Sequence, residues 1–205
     1  MTPSELQHFV HNTYDDARKF LADNRNLDGV QKLPLLIDRS AQAVRTGRKI
    51  MFFGNGGSYA QAQHFAAELM GRFRRDRKTI PALALSSNGA EATAMANDYG
   101  YEFGFVRSLE GLARPGDVVI GLTTSGRSKN VLNALDYASK LRHCYTVAWT
   151  GSRGLNPTHY TVPDLTILCA SNDTARVQEF HQILGHIYCA GLEEVLYGES
   201  TRAKP

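Results

Sequence analysis

The sequence predicts an α/β sandwich of three layers: a five-stranded parallel sheet covered on both faces, with an N-terminal helical extension ahead of it. Three observations carry this. Short apolar runs recur between residues 50 and 168 and alternate with segments of helical periodicity. Ile50-Met51-Phe52-Phe53 is apolar at every position, as in a strand buried on both sides of a parallel sheet. Gly54-Asn55-Gly56-Gly57-Ser58 follows it at once and reads as a tight turn into a helix.

The first element expected is a helix over residues 2–24. Thr2-Pro3-Ser4-Glu5 offers an N-cap, a proline at the first helical position and a capping-box glutamate. Leu6, Phe9, Val10, Ala17, Phe20 and Leu21 make one apolar face. A second helix is expected over 34–45, starting at Pro34 and stopped by Gly47. These two helices (1–47) lie outside the alternating unit (48–198), and such an extension suits packing against another subunit. After the first strand, 50–53, Ser58 is expected to cap the following helix. A second strand is expected at 81–85, then helices at 90–97 and 103–112. Pro115-Gly116-Asp117 turns the chain into a third strand, 118–122. A hydroxyl-rich loop leads into a helix ending at Leu141. Strands at 145–149 and 165–168 follow, with a glycine- and proline-containing loop, 150–163, between them. A long helix, 174–197, closes the unit, and the tail after Gly198 reads as frayed.

Composition bounds the function. At 205 residues with 42% apolar content, the chain is one medium domain with a real core. A net charge of +3 gives no argument for nucleic acid. The basic run Arg72-Phe73-Arg74-Arg75-Asp76-Arg77-Lys78 reads as a solvated turn after a helix, or, more sharply, as placing Arg72 on a phosphate. Cys144, Cys169 and Cys189 form no CxxC pair, so no disulfide is expected; Cys144 and Cys169 sit in apparent strands and read as small core residues. With no targeting segment in view, the cytosol is the default compartment. No apolar run approaches the roughly 20 residues of a membrane span.

Two loops carry chemistry. The helix after the glycine turn presents free N–H groups and a partial positive charge, which suit a phosphate. His64 and Glu68 stand four apart on that helix and share a face. The second loop, Thr123-Thr124-Ser125-Gly126-Arg127-Ser128, has four hydroxyls, with Ser128 placed to cap the next helix. Ordinary turn chemistry explains it equally well alone; two such loops after two strands favour a phosphate pocket at the carboxyl ends of the strands. Neither loop is a Walker loop or GxGxxG, so dinucleotide binding is disfavoured. The last helix carries Gln178, Glu179, His181 and His186, with 178 and 186 just over two turns apart. A lone helical histidine is more often surface or satisfied core than functional.

Gly54–Ser58, His64-Phe65-Ala66-Ala67-Glu68-Leu69, Asn97-Asp98, the loop 123–128 and Thr174-Ala175-Arg176-Val177-Gln178-Glu179 occur in that order. In these the chain resembles the sugar isomerase (SIS) domain family, and within it the phosphoheptose isomerase branch, over nearly its whole length. The resemblance implies a homotetramer with active sites between subunits. It implies conversion of sedoheptulose 7-phosphate to D-glycero-D-manno-heptose 7-phosphate, the entry to heptose for lipopolysaccharide or other glycans. Glu68 then matches the catalytic base and His186 the acid. The candidate substrate contacts are Asn55, Gly56, Gly57 and Ser58 on the first loop, and Thr123, Thr124, Ser125 and Ser128 on the second. Glu68, Arg72, Asn97, Asp98 and Gln178 complete that set. Some members bind zinc through a set that lands on His64, Glu68, Gln178 and His186. Tyr59 and residues 151–163 depart from the family pattern, which bears on substrate detail more than on reaction type.

The chemistry requires such groups. Ketose–aldose isomerisation moves a proton between C1 and C2 through an enediol. A carboxylate takes the carbon-bound proton, and an acid or a metal stabilises the oxygen as charge develops. A glutamate held by zinc is a weaker base, so Glu68 has to leave the metal or the metal has to orient only. Two rivals remain at this level: a non-catalytic SIS regulator of the replication-initiator-associating type, and an isomerase of another phosphosugar. Glu68 together with His186 speaks against the first.

Overall fold

The computed structural model describes residues 1–23, 27–155 and 160–198. Its elements run α1 (Pro3–Leu21), α2 (Leu27–Arg45), β1 (Ile50–Gly54), α3 (Gly57–Met70), β2 (Ala82–Ala84), α4 (Gly89–Tyr99), α5 (Gly104–Leu112), β3 (Val118–Thr123), α6 (Lys129–Arg142), β4 (Tyr145–Thr150), β5 (Leu165–Leu168) and α7 (Thr174–Tyr197). The five strands form one parallel sheet in the order β2-β1-β3-β4-β5. The sequence after β1 steps outward to β2 and then returns to the other side of β1 as β3. The connections leaving β1 and β3 therefore run to opposite faces of the sheet, into α3 and α6, and a ligand crevice opens between them.

The unbroken apolar run of β1 is explained by its two faces. Phe52 joins Phe65, Trp149, Tyr188 and Leu192 on one side of the sheet, under α2, α3 and α7. Met51 and Phe53 join Phe105, Leu109 and Leu135 on the other, under α5 and α6. Edge-to-face contacts tie Phe52 to both Phe65 and Tyr188. The cysteines are all buried and unpaired. Burial pushes the Cys144 and Cys169 thiols up to about 11. They lie just outside β4 and β5, one residue beyond the expected strand positions.

Several expectations need correcting. The second helix starts at Leu27 and carries Pro34 inside it. Pro34 and Val30, whose carbonyl loses its helical donor to the proline, lie on the exposed side, while buried Leu33 and Leu36 hold the helix to the core. Gly47 does stop it, in the left-handed region at φ 76°. The first helix ends at Leu21; residue 24 lies outside the described residues, as do 156–159 of the departing loop and the tail from 199. Its capping box is present, with Thr2 Oγ1 accepting from the Glu5 N–H at 3.3 Å and Glu5 Oε2 accepting from the Thr2 N–H at 2.6 Å. No residue of α1 is buried. Leu6, Phe9, Val10 and Tyr14 are each more than half exposed, a stripe with no cover within the described chain.

Ser58 is not the cap of α3. The helix begins one residue earlier, and Gly56 stands at the N-cap with φ 54°. Ser58 turns inward and is buried in the first turn. Gly54 makes room for it: a Cβ there would fall 2.8 Å from the Ser58 Cβ and 2.9 Å from the Leu122 carbonyl oxygen. Ser128 does sit at the N-cap of α6, but its hydroxyl makes no cap bond and pairs instead with Thr123 Oγ1 at 3.1 Å.

Candidate active site

Helices α3 and α7 carry the titratable groups. One turn of α3 separates His64 from Glu68, and His64 Nε2 lies 3.4 Å from Glu68 Oε1. From α7, His186 reaches the same point, its Nε2 3.0 Å from His64 Nε2. One ligand atom from each of the three lies within 4.8 Å of the others. Phe73 stacks on the His186 ring, centroids 5.6 Å apart and planes 25° apart.

Glycine makes this approach possible. A Cβ on Gly185 would fall 2.0 Å from the Phe65 ring, so any larger residue would force α7 away from α3 just before His186. A Cβ on Gly57 would fall 2.5 Å from Gln178 Nε2. The basic run after α3 provides a second fastening and is not wholly solvated. Arg77 and Glu193 form an ion pair, Nε to Oε1 3.0 Å, with both side chains 2% exposed. The same guanidinium donates to the carbonyls of Glu68, Leu69 and Gly71, the open C-terminal end of α3. Glu193 belongs to α7, so the Glu68 end of one helix is tied directly to the other.

Three of the four expected ligands, His64, Glu68 and His186, meet at one point. Gln178 has its amide against Gly57, and the glutamine beside His186 is Gln182, Nε2 to Nε2 3.0 Å. His181 is core: it is fully buried beside Trp149, ring centroids 5.8 Å apart, and burial pushes its imidazole down to about 4. Two imidazole nitrogens and a carboxylate oxygen turned to one point are a donor set that suits a divalent cation. The three residues therefore fit a metal, without selecting one.

The loops make a separate cluster at the strand ends. Asn55 and Asn130 exchange amide hydrogen bonds of 2.9 and 2.8 Å, joining the turn after β1 to the start of α6. Tyr101 donates to Asn55 Oδ1 at 2.8 Å. Around them is a cleft of about 420 Å³, lined also by Gly56, Tyr59, Ser86 and Phe105. Tyr59 donates to the Ser86 carbonyl. Burial, with Glu91 nearby, pushes its phenol up, so it acts as a neutral donor. In the second loop Thr124 is half-buried and Ser125 exposed. Gly126, at φ 66°, passes so close to the Gly154 carbonyl that a Cβ would fall 1.8 Å from it. Asn97 and Asp98 bond to each other at 2.9 Å on the exposed side of α4 and are not among the residues lining the cleft. Arg72 is exposed just beyond α3.

A family model described as the SIS domain matches residues 18–151. A probable phosphoheptose isomerase of Thermoplasma acidophilum is 42% identical over 87% of this chain and 98% of its own. The phosphoheptose isomerase of Geotalea daltonii is 46% identical over 82% of this chain and 86% of its own. This chain belongs to the phosphoheptose isomerase family of SIS-domain proteins. Among solved structures, the phosphoheptose isomerase of Neisseria gonorrhoeae superposes with a TM-score of 0.83 at 32% identity, covering 92% of this chain and 99% of that one.

Within this SIS-domain chain, sequence reading missed Gln182, Arg77, Gly185 and Asn130. Gln182 had a signal, since it stands four before His186 and so shares its face. Gly185 had one too, as an isolated glycine in a helical pattern. Arg77 looked like any other residue of a basic turn, and only the position of Glu193 distinguishes it.

Proposed function

We propose that this chain is an aldose–ketose isomerase acting on sedoheptulose 7-phosphate, giving D-glycero-D-manno-heptose 7-phosphate. The observation that carries this is the meeting of His64, Glu68 and His186 at one point from two helices, in a chain whose relatives bear that name. Glu68 takes a proton from C1 of the ketose and returns it to C2 of the enediol, while His186 serves the two oxygens between which a hydroxyl proton moves. The glycine turn and the loop 123–128 hold the phosphate through backbone N–H groups and the Thr124, Ser125 and Ser128 hydroxyls. We place the reaction in the cytoplasm, at the entry to heptose for lipopolysaccharide or other glycans. Incubating the protein with sedoheptulose 7-phosphate and identifying the product tests the assignment; no aldoheptose 7-phosphate would end it.

The phosphate assignment has its own check. Thr124→Val and Ser125→Ala each remove a neutral donor to a charged group, about 1.5–3 kcal/mol of binding. KM for the phosphosugar should rise about 10- to 100-fold with kcat nearly unchanged. Unchanged KM in both variants would place the phosphate elsewhere.

We further propose that the cation is zinc, held by His64, Glu68 and His186 with Gln178 or a water completing the shell. Bound there, zinc would act as a Lewis acid on the substrate oxygens. Protein purified without chelator should contain zinc by elemental analysis, and His64→Ala should lose it. Full metal content in His64→Ala would refute the ligand set.

The assembly we propose is a homotetramer with sites between subunits. The bare apolar stripe of α1 supports it, as do Ile183 and Ile187, about 40% exposed on α7 beside His186. Light scattering at micromolar concentration should give four chains; a monomer would contradict it.

A further inference from the structure

Gln61 lies buried in α3, and its amide nitrogen meets two acceptors: the Gln178 carbonyl oxygen at 2.7 Å and Gln182 Oε1 at 3.2 Å. Reversing that amide would set its oxygen against the Gln178 carbonyl, acceptor facing acceptor. The present orientation is kept even though it leaves Gln61 Oε1 buried without a partner. Gln182 is thereby oriented as well. Its Oε1 accepts from Gln61, and reversal would bring two amide nitrogens together at 3.2 Å. Its donor end therefore faces His186 Nε2, 3.0 Å away.

An N–H aimed at an imidazole nitrogen needs a lone pair there. We infer that Gln182, aligned by Gln61, holds His186 in the tautomer with the proton on Nδ1 and the lone pair on Nε2. His64 agrees with this. Its Nε2 is near both His186 Nε2 and Glu68 Oε1, and with the His186 lone pair engaged by Gln182, the His64 N–H turns to Glu68. His186 then turns its Nε2 lone pair into the site, where it can serve as a ligand or accept a proton. In the isomerisation it would take the proton from the O1 hydroxyl, breaking O1–H and forming Nε2–H, and then pass it to O2, restoring the lone pair. With a cation bound, the same lone pair is engaged by the metal, and the transfer from O1 to O2 then no longer runs through His186. Gln61 and Gln182 are thus positioning residues, acting through His186. The role in the reaction rests on the isomerase assignment; the tautomer does not.

Long-range ¹H–¹⁵N spectra of the metal-free, ¹⁵N-histidine-labelled full chain at pH 8 read the tautomer directly, with His186→Asn identifying the signal. The parent should show an unprotonated Nε2 and a protonated Nδ1. Gln182→Leu and Gln61→Leu should raise the population with a proton on Nε2. Gln182→Glu, the same size but with only acceptors to offer, should invert the tautomer. A protonated Nε2 in the parent overturns the inference by itself, whether or not any variant folds. A tautomer unmoved in both Gln182 variants overturns it too. Turnover of sedoheptulose 7-phosphate by the parent is a separate measurement: an inactive parent with the expected tautomer would end the isomerase assignment and leave the Gln61–Gln182 relay standing.

Discussion

Glu68→Gln should lower turnover of sedoheptulose 7-phosphate by about 10²–10⁴-fold while leaving the fold and the assembly intact. The substitution keeps the shape of the side chain and removes its ability to take a proton, together with the one charged donor of the proposed cation set. Glu68 lies at the far end of α3, where Arg77 already bonds its backbone carbonyl, so the main chain has no reason to move. The check is kcat by product analysis, beside circular dichroism of the same sample. Turnover within tenfold of the parent would remove Glu68 as the base. A fall in kcat with KM preserved is the signature of a group that acts in the transition state only.

Arg77→Met should destabilise the chain by about 3–5 kcal/mol, because it leaves the Glu193 carboxylate buried without its cation. Burial alone would raise the Glu193 carboxyl; backbone N–H groups of residues 73–75 and the Arg77 guanidinium outweigh it and hold the group below its ordinary value. A carboxyl depressed in the folded state gives stability that is present above the unfolded-state value and is lost as pH falls through the folded-state one. The parent should therefore lose stability in acid more steeply than the double variant Arg77→Met/Glu193→Leu. That double variant should recover much of the loss, since neither charge is then stranded. Urea unfolding measured across pH reads both effects. A loss under about 1 kcal/mol in Arg77→Met would show that the pair is solvated in solution.

How far the sequence reveals this molecule differs from element to element. The strands were legible because a parallel strand buried on both sides has to be apolar at every position, and 50–53 and 118–122 are. The closing helix was legible to the residue, 174–197, because Asp173 caps it and Gly198 follows it. Pro34 misled: a proline marks a helix start by local chemistry, but the tertiary burial of Leu33 and Leu36 outweighs one missing hydrogen bond. Ser58 misled for a related reason, since a good capping residue can also be a small residue that fits beneath a glycine. For the site, i,i+4 spacing was enough to pair His64 with Glu68. It could not show that His186 meets them, because that depends on the distance between two helices, set by Phe65 against Gly185. Nor could it show that Gln61 reaches Gln182, since that depends on which turn of α7 lies opposite Gln61.

The position of α7 in the chain gives the molecule a timetable. It covers Phe65, Trp149 and Leu36, faces α2 and α3, and supplies Glu193 to the loop after α3, yet it follows all of them in the sequence. At about 5–20 residues per second, synthesis from Trp149 to Tyr197 takes roughly 2–10 s. For that interval this face of the sheet has α2 and α3 but not α7 to cover it, while most of its strands are already made. The nascent chain is therefore adhesive on that face until α7 has emerged, and it is then that a chaperone would be needed. His186 arrives with the same helix that ends this exposure, so the cluster of His64, Glu68 and His186 cannot form in a chain whose core is still open.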